Sequence, residues 1–213
     1  GSEMCIRDRD NSAAEGSYLL TAAEEEILRN VCNAFARTIV VLNVGNIMDM
    51  KWVDRYQPQA VLYVWQGGQE GGRATVDVLT GKVNPGGKLS DTIAEDIEDY
   101  PSTENFGDPV ENFYTEDIYV GYRYYETRYI GDDNVYTPEE EAEYQKAVQY
   151  PFGYGLSYTT FTQELQGVTF DDTAHTAAVQ VKVTNTGAVT GKEVVQVYGQ
   201  SPYTEYDKEH LIE

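Results

Sequence analysis

Basic residues, cysteine and histidine are scarce in this 213-residue sequence, and each shortage argues against a class of function. Lys and Arg total 15 against 36 Asp and Glu residues, which leaves a net charge of −21 at pH 7. A surface of that sign repels nucleic-acid phosphates and anionic lipid headgroups, so we expect neither nucleic acid nor a membrane as a partner. The two cysteines, Cys5 and Cys32, fit neither a metal-ligand spacing nor a disulfide framework. No metal ion or other cofactor is expected.

Long apolar runs are also missing. The longest, residues 39–42 and 60–65, fall far short of the roughly 20 residues that span a bilayer. The first residues carry no apolar stretch of the kind found in secretory signals, so the localisation stays open between cytoplasmic and secreted. What the chain does contain is 41% apolar residues, enough for a packed core, and 18 tyrosines.

The first part of the chain follows an α/β pattern. A capping box at Thr21 and Glu24 marks a helix start, and β-branched apolar segments are typical of buried parallel strands. The predicted elements are a helix to about Arg37, buried strands at 38–43 and 60–65, and short helices at 51–56 and 74–79. Strands that alternate with helices indicate a parallel sheet with right-handed crossovers.

The second part changes character twice. Residues 91–150 are acidic, tyrosine-rich and broken by prolines, with a short strand predicted at 89–93 and a helical insertion from Pro138. Beyond residue 155, apolar and polar residues alternate at 179–184 and 193–198, which predicts half-buried antiparallel strands.

The fold class predicted from these patterns is α/β. The first part is expected to be an α/β layer of parallel strands and helices, and residues 155–213 a truncated antiparallel β-sandwich. A complete immunoglobulin-like sandwich needs roughly 100 residues, more than this last segment offers.

A glycine-rich loop, Gln66-Gly-Gly-Gln-Glu-Gly-Gly72, stands between a predicted strand and a predicted helix. Open α/β sheets bind ligands at that edge. The loop lacks the Lys-Ser/Thr of a phosphate-binding loop, and Glu70 would repel a phosphate. A neutral, hydroxyl-rich ligand is therefore favoured over an anion, and a purely structural turn fits equally well.

Cleavage of a glycosidic bond uses two carboxyl groups, and the chain is rich in them. Glu70, Asp77, Glu116 and Asp117 are candidates, but a solvated surface role is the simpler interpretation for any one of 36 acidic residues. Tyrosines crowd residues 118–126, where sugar stacking is conceivable and packing of a half-buried loop is favoured.

Histidine gives no catalytic signal. His175 and His210 both lie in the predicted β-sandwich, far along the sequence from the glycine-rich loop, and structural or solvent-exposed roles are favoured for them. No Ser-His-Asp order appears either.

Four longer motifs follow one another in order. They are Trp65-Gln-Gly-Gly-Gln-Glu-Gly-Gly72, Asp77-Val-Leu-Thr-Gly-Lys-Val-Asn-Pro-Gly-Gly-Lys-Leu89, Tyr119-Val-Gly-Tyr-Arg-Tyr-Tyr125 and Tyr150-Pro-Phe-Gly-Tyr-Gly-Leu-Ser-Tyr-Thr-Thr-Phe161. Together they resemble glycoside hydrolase family 3, and residues 185–198 resemble its fibronectin type III-like module. The resemblance covers residues 8–213 and implies that residues 8–154 form an incomplete, mainly parallel sheet sandwich with an acidic, tyrosine-rich insertion.

The resemblance implies part of a retaining, exo-acting β-glycosidase, with β-glucosidase favoured. In similar enzymes an N-terminal TIM barrel carries the nucleophilic Asp, the α/β sandwich carries the Glu acid/base, and the active site lies between them. A barrel needs about 250 residues of its own, so the nucleophile is expected outside this chain and the barrel is an expected partner.

The position of the acid/base Glu falls on an arginine. Gly16-Ser-Tyr-Leu-Leu20 matches a family stretch that follows this Glu, and counting back through Asp10 and Asn11 places it at Arg7. Arginine does not titrate near neutral pH, so it cannot donate the proton. Residues 1–7 are therefore predicted to be a non-native leader, and no catalytic residue is assigned within the chain.

Trp65, Gln66 and Glu70 are the candidate substrate-binding residues at the cleft edge. The expected substrate is a β-linked oligosaccharide or an aryl glucoside, cleaved at its terminal O-glycosidic bond by the full enzyme, while the chain alone is expected to be inactive. β-Xylosidase and β-N-acetylglucosaminidase activities stay open. So does a non-catalytic carbohydrate-binding or interaction module.

Overall fold

Residues 13–111, 113–129 and 137–199 are described by the computed structural model. They fall into two compact units. The first contains the described residues of 13–72 and 90–152, and the second contains residues 73–89 and 153–199. The change of unit at residue 153 lies next to the predicted domain boundary, although residues 73–89 group with the second unit. The predicted domain limits themselves stay a prediction.

Helices and strands alternate in the first half of the described chain, as the sequence predicts. In chain order the elements are α1 (Ala22–Ala34), β1 (Ile39–Leu42), α2 (Trp52–Tyr56), β2 (Ala60–Tyr63), α3 (Gly71–Leu79), β3 (Ile93–Ala94), α4 (Tyr122–Arg128), α5 (Pro138–Ala147), β4 (Val148–Tyr150), β5 (Phe161–Asp171) and β6 (Thr176–Asn185). Short 3₁₀ helices occupy Ile97–Asp99 and Pro101–Glu104. The fold is mixed α/β, with small sheets.

β1 and β2 pair in parallel, which confirms the predicted crossover. Ile39 lies opposite Ala60, and Leu42 lies opposite Tyr63. The expectation that both faces of β1 are buried is wrong, because Ile39 is 52% exposed and Val41 is 40% exposed. These two residues share one face of the strand.

α1 begins as predicted and ends early. The Thr21 hydroxyl accepts a hydrogen bond from the Glu24 amide at 3.2 Å, and the Glu24 carboxylate accepts one from the Thr21 amide at 2.8 Å. The helix ends at Ala34, because Phe35 turns to an extended conformation while its amide still bonds to the Val31 carbonyl. The predicted end at Arg37 is therefore three residues too late.

Tyrosines build a core where the sequence predicts irregular structure. Tyr125 of α4 is 1% exposed and packs with Ala94, Ala147 and Val148, and four further tyrosines surround this cluster. The Tyr125 hydroxyl donates to the Asp99 carbonyl at 2.9 Å. The favoured packing role of these tyrosines is confirmed, although the sequence did not predict α4 or β4.

Two predicted strands differ from the structure. The strand expected at 89–93 is reduced to β3, because Leu89 exchanges backbone hydrogen bonds with Gly153 and Tyr154 at 2.8 Å and the chain bends between Leu89 and Ile93. The strand expected at 193–198 is absent. Within the described residues this segment forms no backbone ladder, and the Gln163 side chain of β5 donates to the Glu193 carboxylate and to the Val194 carbonyl, both at 3.2 Å.

The second unit contains the predicted antiparallel strands. β5 and β6 form a hairpin with a bulge between Leu165 and Gly167. Val179 and Val181 of β6 are half-buried between exposed neighbours, as predicted, whereas Val183, the third residue of the predicted pattern, is 41% exposed. In the described part of the chain, no helix is both long and apolar enough to cross a membrane.

We expect Tyr125→Phe to lower the free energy of unfolding by about 0.5–1.5 kcal/mol, because it removes the hydrogen bond to the half-buried Asp99 carbonyl. Urea denaturation followed by circular dichroism measures the change. Tyr114→Phe is the matched control, since Tyr114 is 92% exposed and its loss should stay within about 0.5 kcal/mol. Equal effects of the two substitutions would contradict the structural role of the Tyr125 hydroxyl.

Candidate functional site

An open cavity of about 670 Å³ lies in the first unit. Gly45, Asn46 and Ile47, which follow β1, and Trp65, which follows β2, contribute to its wall. The cavity therefore lies at the carboxyl edge of the parallel pair, where α/β sheets bind ligands. Its volume falls within the roughly 300–1,000 Å³ of small-molecule sites.

Aromatic and polar side chains make up most of the cavity wall. The aromatic lining residues are Tyr18, Trp65, Tyr100 and Phe106, and the polar ones are Asn46, Asp91, Ser102 and Thr103. Among the described lining residues there is no Lys, Arg or His, and Asp91 is the one charged group. Such a wall favours a ligand with apolar faces and hydroxyl groups over an anion.

Trp65 has an unusual backbone. Its φ is 51°, in the left-handed region that bulky side chains rarely adopt. The indole packs on Tyr63 with ring centroids 4.4 Å apart, and the Tyr63 hydroxyl donates to the Asn46 carbonyl at 2.5 Å. Tyr63 thus joins the segments that follow β1 and β2, and it orients the Trp65 ring.

The turn made by the glycine-rich loop requires glycine at two positions. A Cβ on Gly67 would lie 2.7 Å from the Gly71 Cα, and Gly68 has a φ of 63°. The loop is exposed, and neither Gln66 nor Glu70 is among the cavity-lining residues. Of the three predicted substrate-binding residues, the structure brings Trp65 to the cavity, and the roles of Gln66 and Glu70 stay predictions.

The other candidate carboxylates lie elsewhere. Asp77 forms an ion pair with Lys82 at 2.9 Å in the second unit. Burial raises the pKa of Glu116, and Asp117 occupies a turn with a φ of 44°. None of them lines the cavity, so the described wall offers a single carboxyl group rather than a catalytic pair.

Part of the sequence-based site lies outside the described residues. Arg7, which takes the place of the acid/base Glu, the whole of residues 1–7, and His210 all belong to this part of the chain. His175 is described: it is exposed, with a φ of 51°, in the turn between β5 and β6. No group of His, Cys, Asp and Glu suited to a metal ion occurs among the described residues.

Several lining residues were missed by sequence reasoning. Asn46 could have been found, because it follows the end of a predicted parallel strand and such positions share one edge of the sheet. Asp91 and Phe106 lie in segments without regular periodicity, and no local pattern distinguishes them from other acidic or aromatic residues.

A charged cluster surrounds Lys51 in the first unit. Lys51 forms an ion pair with Asp96, and its Nζ lies 3.7 Å from the Asp49 carboxylate. Asp49 is 8% exposed, and burial raises its pKa against the lowering effect of Lys51. Burial likewise raises the pKa values of Glu95 and Asp99. The charge of Lys51 thus lowers the pKa values of Asp49, Glu95 and Asp99 against the effect of their burial.

Burial also raises the pKa values of two tyrosine hydroxyls in the cavity wall. Burial, together with Tyr100 and Asp49, raises the pKa of Tyr18 far above its usual range. Burial also raises the pKa of Tyr100 to about 12. Both hydroxyls are therefore neutral at physiological pH, and the wall gains no negative charge from them.

The first unit is a mixed α/β unit with a ligand-sized cavity at the carboxyl edge of its parallel strands. This is the arrangement of ligand-binding α/β domains. The family model described as "Glycosyl hydrolase family 3 C-terminal domain" matches residues 4–122, which is more than half of the sequence. The chain belongs to this glycosyl hydrolase family.

Relatives and solved structures agree with that assignment. Beta-glucosidase of Ruminococcus albus is 48% identical over 195 residues, covering 92% of this chain and 19% of the relative. The crystal structure of a beta-glucosidase from Paenibacillus barengoltzii matches with a TM-score of 0.69 and 46% identity, over 85% of this chain and 19% of that one. Beta-glucosidase 3B from Thermotoga neapolitana, solved in complex with α-D-glucose, matches with a TM-score of 0.68 and 38% identity, over 84% and 24%. The chain thus spans about a fifth to a quarter of the length of these proteins.

We expect the stability of the chain to rise as the pH falls through the raised pKa of Asp49 toward 3.8, because a carboxyl group whose pKa is raised in the folded state holds its proton more tightly there. For Asp49 this contribution is complete below the unfolded value of 3.8 and is lost as the pH rises through the folded pKa. Asp49→Asn should flatten the profile, as measured by thermal unfolding across pH. Asp172→Asn, an exposed change of the same charge, controls for the net charge. Identical profiles of the two variants would contradict this account.

Proposed function

We propose that this chain forms part of a retaining β-glucosidase that removes terminal glucose from β-glucosides and β-linked oligosaccharides. The observation that supports the proposal most directly is the cavity at the carboxyl edge of β1 and β2, with its aromatic and hydroxyl-binding wall and no cationic lining residue among those described. The family and the names of its similar members agree with this substrate class.

The architecture of the complete enzyme is part of the proposal. The first unit corresponds to a portion of an α/β sandwich, and the β5–β6 hairpin to a portion of a fibronectin type III-like sandwich. In a retaining enzyme one carboxylate attacks the anomeric carbon while a second carboxyl group protonates the leaving oxygen, and water then releases the sugar. We propose that the nucleophile belongs to a barrel domain of the same protein, outside this chain.

The contribution of the described residues is recognition. A pair of catalytic carboxyl groups about 5–5.5 Å apart is needed for retention, and Asp91 is the one carboxyl group among the described residues of the cavity wall. The chain by itself is therefore expected to bind sugar without cleaving it. A non-catalytic carbohydrate-binding module is the second candidate function, favoured by the same aromatic wall.

We expect the polypeptide encoded by the complete reading frame around this sequence to hydrolyse an aryl β-D-glucoside. Its kcat/KM should exceed that for the matching β-xyloside and β-N-acetylglucosaminide by at least about tenfold, because a sugar pocket discriminates through the hydroxyls it binds. Release of the aryl alcohol, followed by absorbance, measures the rates.

The 213-residue chain, assayed in parallel, should release no product above the uncatalysed rate. Turnover by the chain alone would contradict the placement of the catalytic pair outside it. If the complete polypeptide shows no glycosidase activity while sugar binding is retained, the binding-module function replaces the enzymatic one.

A further inference from the structure

We propose that Lys51 is a positioning residue that ties two segments of the cavity wall together. One segment, residues 45–47, follows β1, and the other contains the two short 3₁₀ helices within residues 97–104. Lys51 pairs with Asp49 next to the first segment and with Asp96 next to the second. The use of the cavity by a substrate rests on the proposed function, whereas the tie between the segments follows from the contacts of Lys51.

Asp49 connects Lys51 to the segment that follows β1. It comes soon after Ile47 of the cavity wall, and its amide donates to the carbonyl of Tyr18, another wall residue, at 3.0 Å. Asp49 is buried, and the Lys51 Nζ lies 3.7 Å from its carboxylate. A carboxylate that is removed from water depends on a nearby cation, so the charge of Lys51 matters more here than in an exposed ion pair.

Asp96 connects Lys51 to the 3₁₀ segment. The Lys51 Nζ donates to the Asp96 carboxylate across 45 positions of the sequence, and Asp96 directly precedes the first 3₁₀ helix. The Asp96 amide in turn donates to the Asp99 carboxylate at 3.0 Å. Further along, the Tyr100 hydroxyl accepts from the Ala94 amide of β3 at 2.9 Å. The segment is thus held at its start by Lys51 and in its middle by Tyr100.

The 3₁₀ segment needs such anchors because its own hydrogen bonds are few. Its two helices have three and four residues, and helices of that length form poor i→i+3 hydrogen bonds and do not persist alone in water. Ile97, Tyr100 and Thr103 of this segment line the cavity, so a movement of the segment changes the wall. Loss of the Lys51 anchor should therefore open the segment locally, while the β1–β2 pair keeps its place.

Four variants of the complete polypeptide test the tie. Lys51→Met keeps the aliphatic stem and removes the charge, whereas Lys51→Arg keeps the charge. Asp96→Asn removes the charge at the more exposed end of the pair, and asparagine can still cap a helix, so this variant is expected to fold. Lys82→Met is the matched control, because it removes an ion pair with Asp77 at 2.9 Å in the second unit.

Hydrogen exchange followed by mass spectrometry measures the tie without any ligand. We expect the backbone amides of residues 96–104 to exchange at least about fivefold faster in Lys51→Met and in Asp96→Asn, and at the unmodified rate in Lys51→Arg and Lys82→Met. The amides of β1 and β2 should keep their rates in all four variants. Unchanged exchange at residues 96–104 in Asp96→Asn, or a rise there that extends equally to β1 and β2, would overturn the proposal, and this variant decides even if Lys51→Met fails to fold.

Kinetics separate positioning from a general loss of structure. Lys51→Met should raise KM for an aryl β-glucoside about three- to tenfold and change kcat less, because the wall binds the substrate rather than reacting with it, and Lys51→Arg should keep KM within about twofold of the unmodified value. Faster exchange at residues 96–104 with an unchanged KM, or equal losses in the Met and Arg variants, would overturn the positioning role. Absence of hydrolysis by the unmodified polypeptide would overturn the proposed function, while the exchange rates would still decide whether Lys51 ties the two segments.

Discussion

The parallel pairing of β1 with β2 is the constraint on which the candidate site depends. Leu42 lies opposite Tyr63, and the ladder continues through the Val64 amide to the Leu42 carbonyl at 2.9 Å. Parallel strands end at the same edge, so the segments after β1 and β2 emerge side by side. This register brings Asn46 within reach of the Tyr63 hydroxyl and places Trp65 on the cavity wall. A shift by one residue would turn Tyr63 to the opposite face of the sheet and remove that contact.

In the irregular acidic segment, tyrosine hydroxyls form hydrogen bonds with the backbone that phenylalanine could not form. A segment with little helix or strand leaves backbone groups to be satisfied by other partners. The Tyr100 hydroxyl accepts from the Ala94 amide at 2.9 Å, and the Tyr125 hydroxyl donates to the Asp99 carbonyl, while both rings pack edge to face. The tyrosine excess thus combines apolar burial with hydrogen bonds, and Tyr100 links this core to the cavity.

Local patterns predicted the elements that local physics determines. The capping box at Thr21, the parallel strand pair and the helix from Pro138 follow from spacing and residue type over a few positions. The burial of β1 and the strand at 193–198 were predicted wrongly, because both depend on which other element covers or pairs with the segment. Trp65 was found because it ends a predicted strand, whereas Asp91 reaches the cavity through a tertiary arrangement that no short window records.

Trp65 occupies a backbone conformation that glycine adopts more easily than tryptophan does. Sparsely populated backbone conformations cost about 1–3 kcal/mol, and an aromatic pair such as Trp65 with Tyr63 returns about 0.5–1.5 kcal/mol. Glycine occupies Gly67 and Gly68 nearby and would adopt the same φ without that cost. The ring contact alone therefore does not explain a tryptophan at this position. The tryptophan does place a flat apolar surface at the cavity wall, which a glycine would remove together with the strain.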